Sequence, residues 1–285
     1  MKLVGLLPCR NEAWVLGLSL RVALLWCDEV VVLLHACTDA SQQIVTQIAA
    51  EFPDRVHWMV TSDSRWDEMS HRQDMLDAAR AFDNPTHIAL IDADEILTGN
   101  FLYRVRGWCE QLNGSQRLEL PLYNLRGGIT RYHANGTWGN RWTTVAFKDD
   151  PRLHWGGDTF HHREPFGMHL SPWRPVQHAA GGVLHLWGAS ERRLKAKQAL
   201  YKITERIRWP HKPVQQINDY YNLSVYDAGR APAWTFKDVP ESWWASYDIG
   251  LLDVDAEPWQ EAEARQLVAE HGAQRLDGLD LFGVV

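Results

Sequence analysis

Apolar positions in the first 125 residues alternate between short continuous runs and one-faced helical stripes. Residues 2–7 read as a short strand ending at Pro8, and residues 30–34 form a continuous valine and leucine run, as in a strand buried on both faces. Between them Val15, Leu18, Val22 and Leu25 share one helical face, with Asn11 placed to cap that helix. The same reading predicts a helix over 41–50 and a strand over 55–60. A helix follows over 68–82, with Met69, Leu76, Ala79 and Phe82 inward. Asn84-Pro85 breaks it before a strand over 86–91. Asn100 stands where it can cap a helix that aligns Leu102, Val105, Cys109 and Leu112, and 117–122 reads as one more strand. Repeated βα units of this length demand a mostly parallel sheet flanked by helices.

Beyond residue 125 the pattern changes. Gly, Trp, His and Pro crowd the next stretch, which includes Gly127-Gly128, Gly156-Gly157 and Gly181-Gly182, so long functional loops around a few strands are expected. A basic helix follows over 190–208, and another over 258–271. The expected organisation is an α/β half at 1–125, a loop-rich half of the same domain at 126–189, and a helical extension at 190–285. No internal repeat or low-complexity tract interrupts it.

Composition narrows the class. With 285 residues, 45% hydrophobic and 23% charged, the chain is too apolar for a disordered polymer. A net charge of −7 argues against a broad nucleic-acid footprint. The four cysteines make no CxxC pair, which argues against a structural zinc and fits a reducing compartment. The N-terminus is too short in apolar residues for a secretory segment. The run 13–27 is broken by Ser19 and Arg21 and is too short to span a bilayer, so a cytoplasmic protein without a transmembrane segment is expected.

The sharpest chemical signal is Ile91-Asp92-Ala93-Asp94-Glu95, directly after a buried strand. In open α/β sheets ligands bind at the carboxyl ends of strands, and an extended backbone turns two carboxylates two residues apart the same way. Such a pair suits Mn or Mg carrying phosphates, although a solvated turn capping the next helix has the same composition. Three further features stand at matching spacings: Pro8-Cys9-Arg10-Asn11-Glu12-Ala13 after the first strand, Thr38-Asp39-Ala40-Ser41 after the second, and Arg72 in the helix before the fourth. Together they resemble family 2 glycosyltransferases of the GT-A fold, over roughly residues 2–112. Where that family has Asp and Gly near the second strand's end, this chain has His35 and Ala40. The resemblance implies a GT-A-like, Rossmann-type sheet and a nucleotide-sugar donor. It places Pro8, Arg10, Asn11, Glu12 and Asp39 around the base and ribose, and Arg72 at the donor. Asp94 becomes a metal ligand, with Asp92 on the ribose or the metal. The same capping chemistry offers a plain structural role for Asp39.

Such a transfer, with inversion, also needs a base for the acceptor hydroxyl. Asp158, His161, His162 and Glu164 in the loop 156–165 qualify by chemistry, with the carboxylates favoured by the resemblance. Val183-Leu184-His185 resembles the segment that supplies a third metal ligand, here His185, and Lys195 on the basic helix resembles a contact to the leaving diphosphate. Fifteen tryptophans complete the picture, eleven of them after the carboxylate cluster. Indole faces suit sugar rings, which puts Trp138, Trp142, Trp155 and Trp173 on the acceptor side, while Trp187 and Trp259 read as core. The expected activity is hexosyl transfer from a nucleoside-diphosphate sugar, UDP-linked, to an acceptor hydroxyl. The acceptor classes are saccharide, lipid-linked glycan, protein and modified nucleobase. The alternatives are a nucleotidyltransferase-like enzyme on a similar sheet, disfavoured by the glycine-free first loop, and a non-catalytic carbohydrate-binding protein.

Overall fold

A computed structural model describes residues 1–83, 85–227 and 233–285; Asn84 and the side chain of Phe82 lie outside the described residues. In chain order the elements are β1 (Leu3–Cys9), α1 (Ala13–Trp26), β2 (Glu29–His35), α2 (Ser41–Glu51), β3 (Val56–Thr61) and α3 (Glu68–Asp83). Next come β4 (His87–Leu90), β5 (Glu95–Leu97), α4 (Leu102–Gln111), β6 (Gln116–Asn124), β7 (Arg131–His133) and β8 (Arg141–Lys148). The remainder is β9 (Ser171–Trp173), β10 (Val183–His185), α5 (Glu191–Arg208), α6 (Val214–Asn222), β11 (Phe236–Asp238), α7 (Glu241–Trp244) and α8 (Trp259–His271).

The chain divides into two compact units: 1–122 with 141–185 and 240–253, and 123–140 with 186–239 and 254–285. The first is an α/β unit around a nine-stranded sheet in the order β3-β2-β1-β4-β8-β6-β10-β5, with β9 paired to β6. Strands β3, β2, β1 and β4 are mutually parallel. Beyond β4 the sheet turns antiparallel at β8. The expected α/β architecture, a curled and mostly parallel sheet flanked by helices, is therefore present.

Burial follows from position in the sheet. β2 is central and buried along almost its whole length, whereas β3, at the edge, alternates and leaves Trp58 and Val60 exposed. The α3 face carrying Met69, Met75, Leu76 and Ala79 packs with Val4, Leu6, Val31, Leu33, Ile88 and Leu90 of β1, β2 and β4. Each of the larger apolar side chains buried there contributes about 1.5–3 kcal/mol. The chain builds outward from β1 to β3, then returns to place β4 on the other side of β1, so strand order switches between β1 and β4. Their carboxyl ends lie side by side, with Leu6 opposite Leu90. A crevice at such a switch is where α/β sheets take ligands.

The second unit holds the two-stranded pair β7–β11 with α5, α6 and α8. Its core gathers Ile203, Ala264 and Leu276 in one cluster and Trp187, Leu194 and Val225 in another. Among the described residues no helix is long and apolar enough to cross a membrane.

Candidate active site

At the carboxyl ends of β1 and β2 the two loops are stitched together by side chains. Asn11, buried and in the left-handed region at φ 54°, accepts the N–H groups of Thr38 (2.6 Å) and Asp39 (3.2 Å) on its Oδ1. Its carboxamide therefore does not cap α1, as its position in the sequence suggested. That work falls to Asp39, whose Oδ2 accepts from the Ala13 N–H (3.0 Å) while Oδ1 accepts from the Ser41 N–H (2.9 Å). One exposed carboxylate thus sits at the first turns of both α1 and α2, where a negative charge is favoured. Ser41 Oγ accepts the Glu12 N–H at 3.0 Å, and Arg10 reaches across to the Ser64 carbonyl at 3.1 Å. Pro8 lies within β1 itself.

At the end of β4, Asp92 is engaged on both oxygens: Arg72 donates to Oδ1 at 3.2 Å and Arg163 to Oδ2 at 2.9 Å. Arg72, in α3, is also paired with Glu68 one turn earlier at 3.0 Å. The second guanidinium is the residue that sequence reasoning missed. Arg163 donates from Nε to the Thr144 carbonyl, from one terminal nitrogen to Asp92 and Glu95, and from the other to the Leu90 carbonyl and Glu95. All five of its N–H donors are used. Arg163 is the only Lys or Arg between residues 156 and 165, but no local pattern ties that stretch to the carboxylate cluster.

Asp94 takes a different direction. It is only 8% exposed, and its Oδ2 lies 3.7 Å from His185 Nε2. His185 ends β10, which pairs antiparallel with β5 so that His185 stands opposite Glu95. The placement depends on Gly182 just before β10, where a side chain would run into the Pro121 carbonyl oxygen. An oxygen donor and an imidazole nitrogen facing each other suit Mn²⁺ or Mg²⁺ as two protein ligands. Asp92 is turned to guanidinium groups instead, and no group of three or more His, Cys, Asp or Glu ligands occurs among the described residues. The donor set therefore fits a cation whose remaining ligands come from elsewhere, such as a diphosphate.

The loop expected to carry the base lies beside this cluster, tied to it by Arg163. Glu164 Oε1 accepts from Thr144 Oγ1 at 2.8 Å and lies 3.4 Å from Arg117. His161 is held in a left-handed conformation (φ 57°) with its backbone N–H donating to Glu68 at 2.8 Å, and His162 stacks on Phe166 at 4.3 Å. Asp158 is exposed on the same loop.

The tryptophans separate. Trp155 is 3% exposed and packs in the core with Phe147, so it offers no face to a ligand, contrary to expectation. Trp142 is half-buried with the Arg174 guanidinium 4.6 Å above its ring and His178 at its edge, and Trp173 lies half-buried in β9. Trp138 belongs to the second unit, where its indole N–H donates to the Leu223 carbonyl and its ring packs on Trp187. Trp187 is core there, and Trp259 is half-buried. Lys195, on α5, is also in the second unit.

No family model matches this chain, and no curated protein matches it. Solved structures similar to it include residues 1–349 of TarS from S. aureus in complex with UDP-GlcNAc, at 12% identity over 78% of this chain and 72% of that one, with a TM-score of 0.42. The same protein in complex with UDP matches at 15% identity over 52% of this chain and 47% of that one, with a TM-score of 0.39. Glucosyl-3-phosphoglycerate synthase from Mycobacterium tuberculosis, in complex with Mn²⁺, UDP and phosphoglyceric acid, matches at 18% identity over 43% of each chain, with a TM-score of 0.30. A further structure of TarS 1–349 matches over 45% of this chain and 36% of that one.

Proposed function

We propose that this chain is a glycosyltransferase that moves a sugar from a UDP-linked donor to an acceptor hydroxyl, with inversion. The observation that carries the reading is the facing pair Asp94–His185 beside an Asp92 held by Arg72 and Arg163, at the switch in strand order. The nucleoside would lie over the loops stitched by Asn11 and Asp39, bounded by Pro8, Arg10 and Glu12. Asp92 would meet the ribose, and Arg72 would face the donor. Asp94 and His185 would hold Mn²⁺ or Mg²⁺, which when bound offsets charge developing on the leaving diphosphate.

Asp158 is the base of this proposal. Glu164 Oε1 already accepts from the Thr144 hydroxyl and lies beside the Arg117 guanidinium, so that oxygen is engaged. His161 and His162 lie on the same loop, one with its backbone pinned and the other stacked on Phe166. Trp142 and Trp173 are the proposed acceptor-side rings. Sugar transfer or donor hydrolysis, measured across UDP-sugars, GDP-sugars and nucleoside triphosphates with Mn²⁺, tests the reading. Turnover of a UDP-sugar is expected, with Asp158→Asn losing about 10²–10⁴-fold in kcat and Glu164→Gln far less. Turnover of a triphosphate alone would replace this reading with nucleotidyl transfer.

A further inference from the structure

Two cysteines stand at the carboxyl ends of neighbouring strands. Cys9 closes β1 and is buried; Cys37 follows β2 and is partly exposed. The Cys37 thiol donates to the Cys9 carbonyl at 3.5 Å and accepts the Asn11 N–H at 3.4 Å. A thiolate at Cys37 therefore has a donor waiting, the Asn11 N–H. The effect on the pair is opposite: the Cys9 side chain lowers the Cys37 thiol against its partial burial, while Cys9 is pushed well above the ordinary thiol range. The other two cysteines, Cys27 and Cys109, are both buried, and burial pushes both up, Cys109 to about 12.

We propose that Cys37 and Cys9 form an oxidation-sensitive dithiol, a covalent modification site whose co-reactant is a hydroperoxide. The Cys37 thiolate attacks the peroxide, forming an S–O bond and breaking O–O, and the departing oxygen takes up a proton to leave as water. The Cys9 thiol then attacks the sulfenic sulfur; S–S forms, S–O breaks, and the hydroxyl leaves as water with the Cys9 proton. Two thiols are oxidised by two electrons and one hydrogen peroxide becomes two waters.

The position of the pair gives the reaction a consequence. Cys37 directly precedes Thr38 and Asp39, whose N–H groups are held by Asn11, and Asp39 in turn holds the first turns of α1 and α2. A disulfide brings two sulfurs to about 2.05 Å, drawing that loop toward β1. Oxidation would therefore weaken donor binding, a consequence that rests on the glycosyltransferase reading; the thiol chemistry does not.

Treatment of the reduced full chain with hydrogen peroxide, followed by alkylation and peptide mapping, tests the site. The expected result is a Cys9–Cys37 linked peptide, a fall from four free thiols to two, and reversal by dithiothreitol. Cys9→Ser should instead leave a Cys37 sulfenic acid that dimedone traps. Absence of the linked peptide and of the trapped sulfenic acid, or faster oxidation of Cys27 or Cys109, overturns the proposal. The consequence is read separately, from the thermal shift given by UDP with Mn²⁺. A smaller shift after oxidation, restored on reduction, supports it. An equal shift in both forms overturns the regulatory role while leaving the thiol site, and no shift in the reduced protein contradicts the donor assignment alone.

Discussion

At Asp92 burial and charge pull in opposite directions. Burial alone would raise its pKa, but Arg163 and Arg72 outweigh it and hold the carboxylate well below the usual range. Glu95 goes the other way, because burial and the nearby charge of Asp92 overcome Arg163 and raise it to about 7. Arg163 is the cation that makes both carboxylates tolerable in one place. Arg163→Met should therefore destabilise the fold by about 3–5 kcal/mol in urea unfolding. Adding Glu95→Gln to it should recover part of that loss. A cost below about 1 kcal/mol, the range of an exposed pair, would mean that the guanidinium is not the counter-charge of the cluster.

His35 makes a second prediction at the same scale. It is buried at the end of β2 with Nε2 2.9 Å from the Asp63 carbonyl and its ring 4.3 Å from His71. A carbonyl only accepts, so Nε2 carries the proton. Burial first, and then the charges of His71 and Arg10, lower its pKa from 6.5 to about 4. The unfolded chain takes up a proton near pH 6.5 that the folded chain refuses until about 4, so stability falls as pH drops through that interval. The drop in Tm between pH 7 and 4.5 is expected to be smaller in His35→Gln than in the parent. An equal drop in both would contradict the assignment.

Among the elements, α5 departs most from its appearance in the sequence. Its basic residues look like a solvated face, yet several are internal ties of the second unit. Arg192 pairs with Glu261 at 2.7 Å, buried Arg193 donates to the Ala256 carbonyl, and fully buried Lys202 donates to Asn222 and to the Asp280 carbonyl at 2.6 Å each. Burial lowers Lys202 from 10.5 to about 8. Between these values the unfolded chain holds a proton the folded chain has released, so the contribution of Lys202 to stability grows as pH rises from 8 to 10.5. Lys202→Met should remove that part of the slope in denaturant titrations; identical slopes would refute it.

The elements that could be read ahead were those whose pattern is local. The run of β2, the inward stripe of α3 and the extent of α5, expected over 190–208 and found at Glu191–Arg208, each arise from neighbours within a turn or from a single buried strand. Caps at Asn11 and Asn100 were misread because those carboxamides serve distant backbone. Asn11 reaches Thr38, 27 residues on, and Asn100 donates to the Ala180 carbonyl, 80 residues on. The three-residue strands β5 and β10, which bring His185 opposite Glu95, are too short to show a period. Arg163 escaped for the same reason: its partners are 19 to 73 residues away.

For the molecule as a whole, the strand order decides where chemistry can occur. Folding β4 back beside β1 brings the Asp92–Glu95 turn next to the first-strand loop, and β10 beside β5 then brings in His185. The tryptophan excess does not mark one surface, since Trp155 is core of the first unit and Trp138 and Trp187 pack together in the second. The proposed acceptor rings narrow to Trp142 and Trp173. The central claim is that Asp94 and His185 make nucleotide binding depend on a divalent cation. Isothermal titration of UDP into the full chain, with and without Mn²⁺, measures this directly in the parent, Asp94→Ala and His185→Ala. Binding that requires Mn²⁺ in the parent and weakens at least about tenfold in each variant, roughly 1.4 kcal/mol, is the predicted result. Binding that is indifferent to Mn²⁺ and unchanged in Asp94→Ala would contradict it.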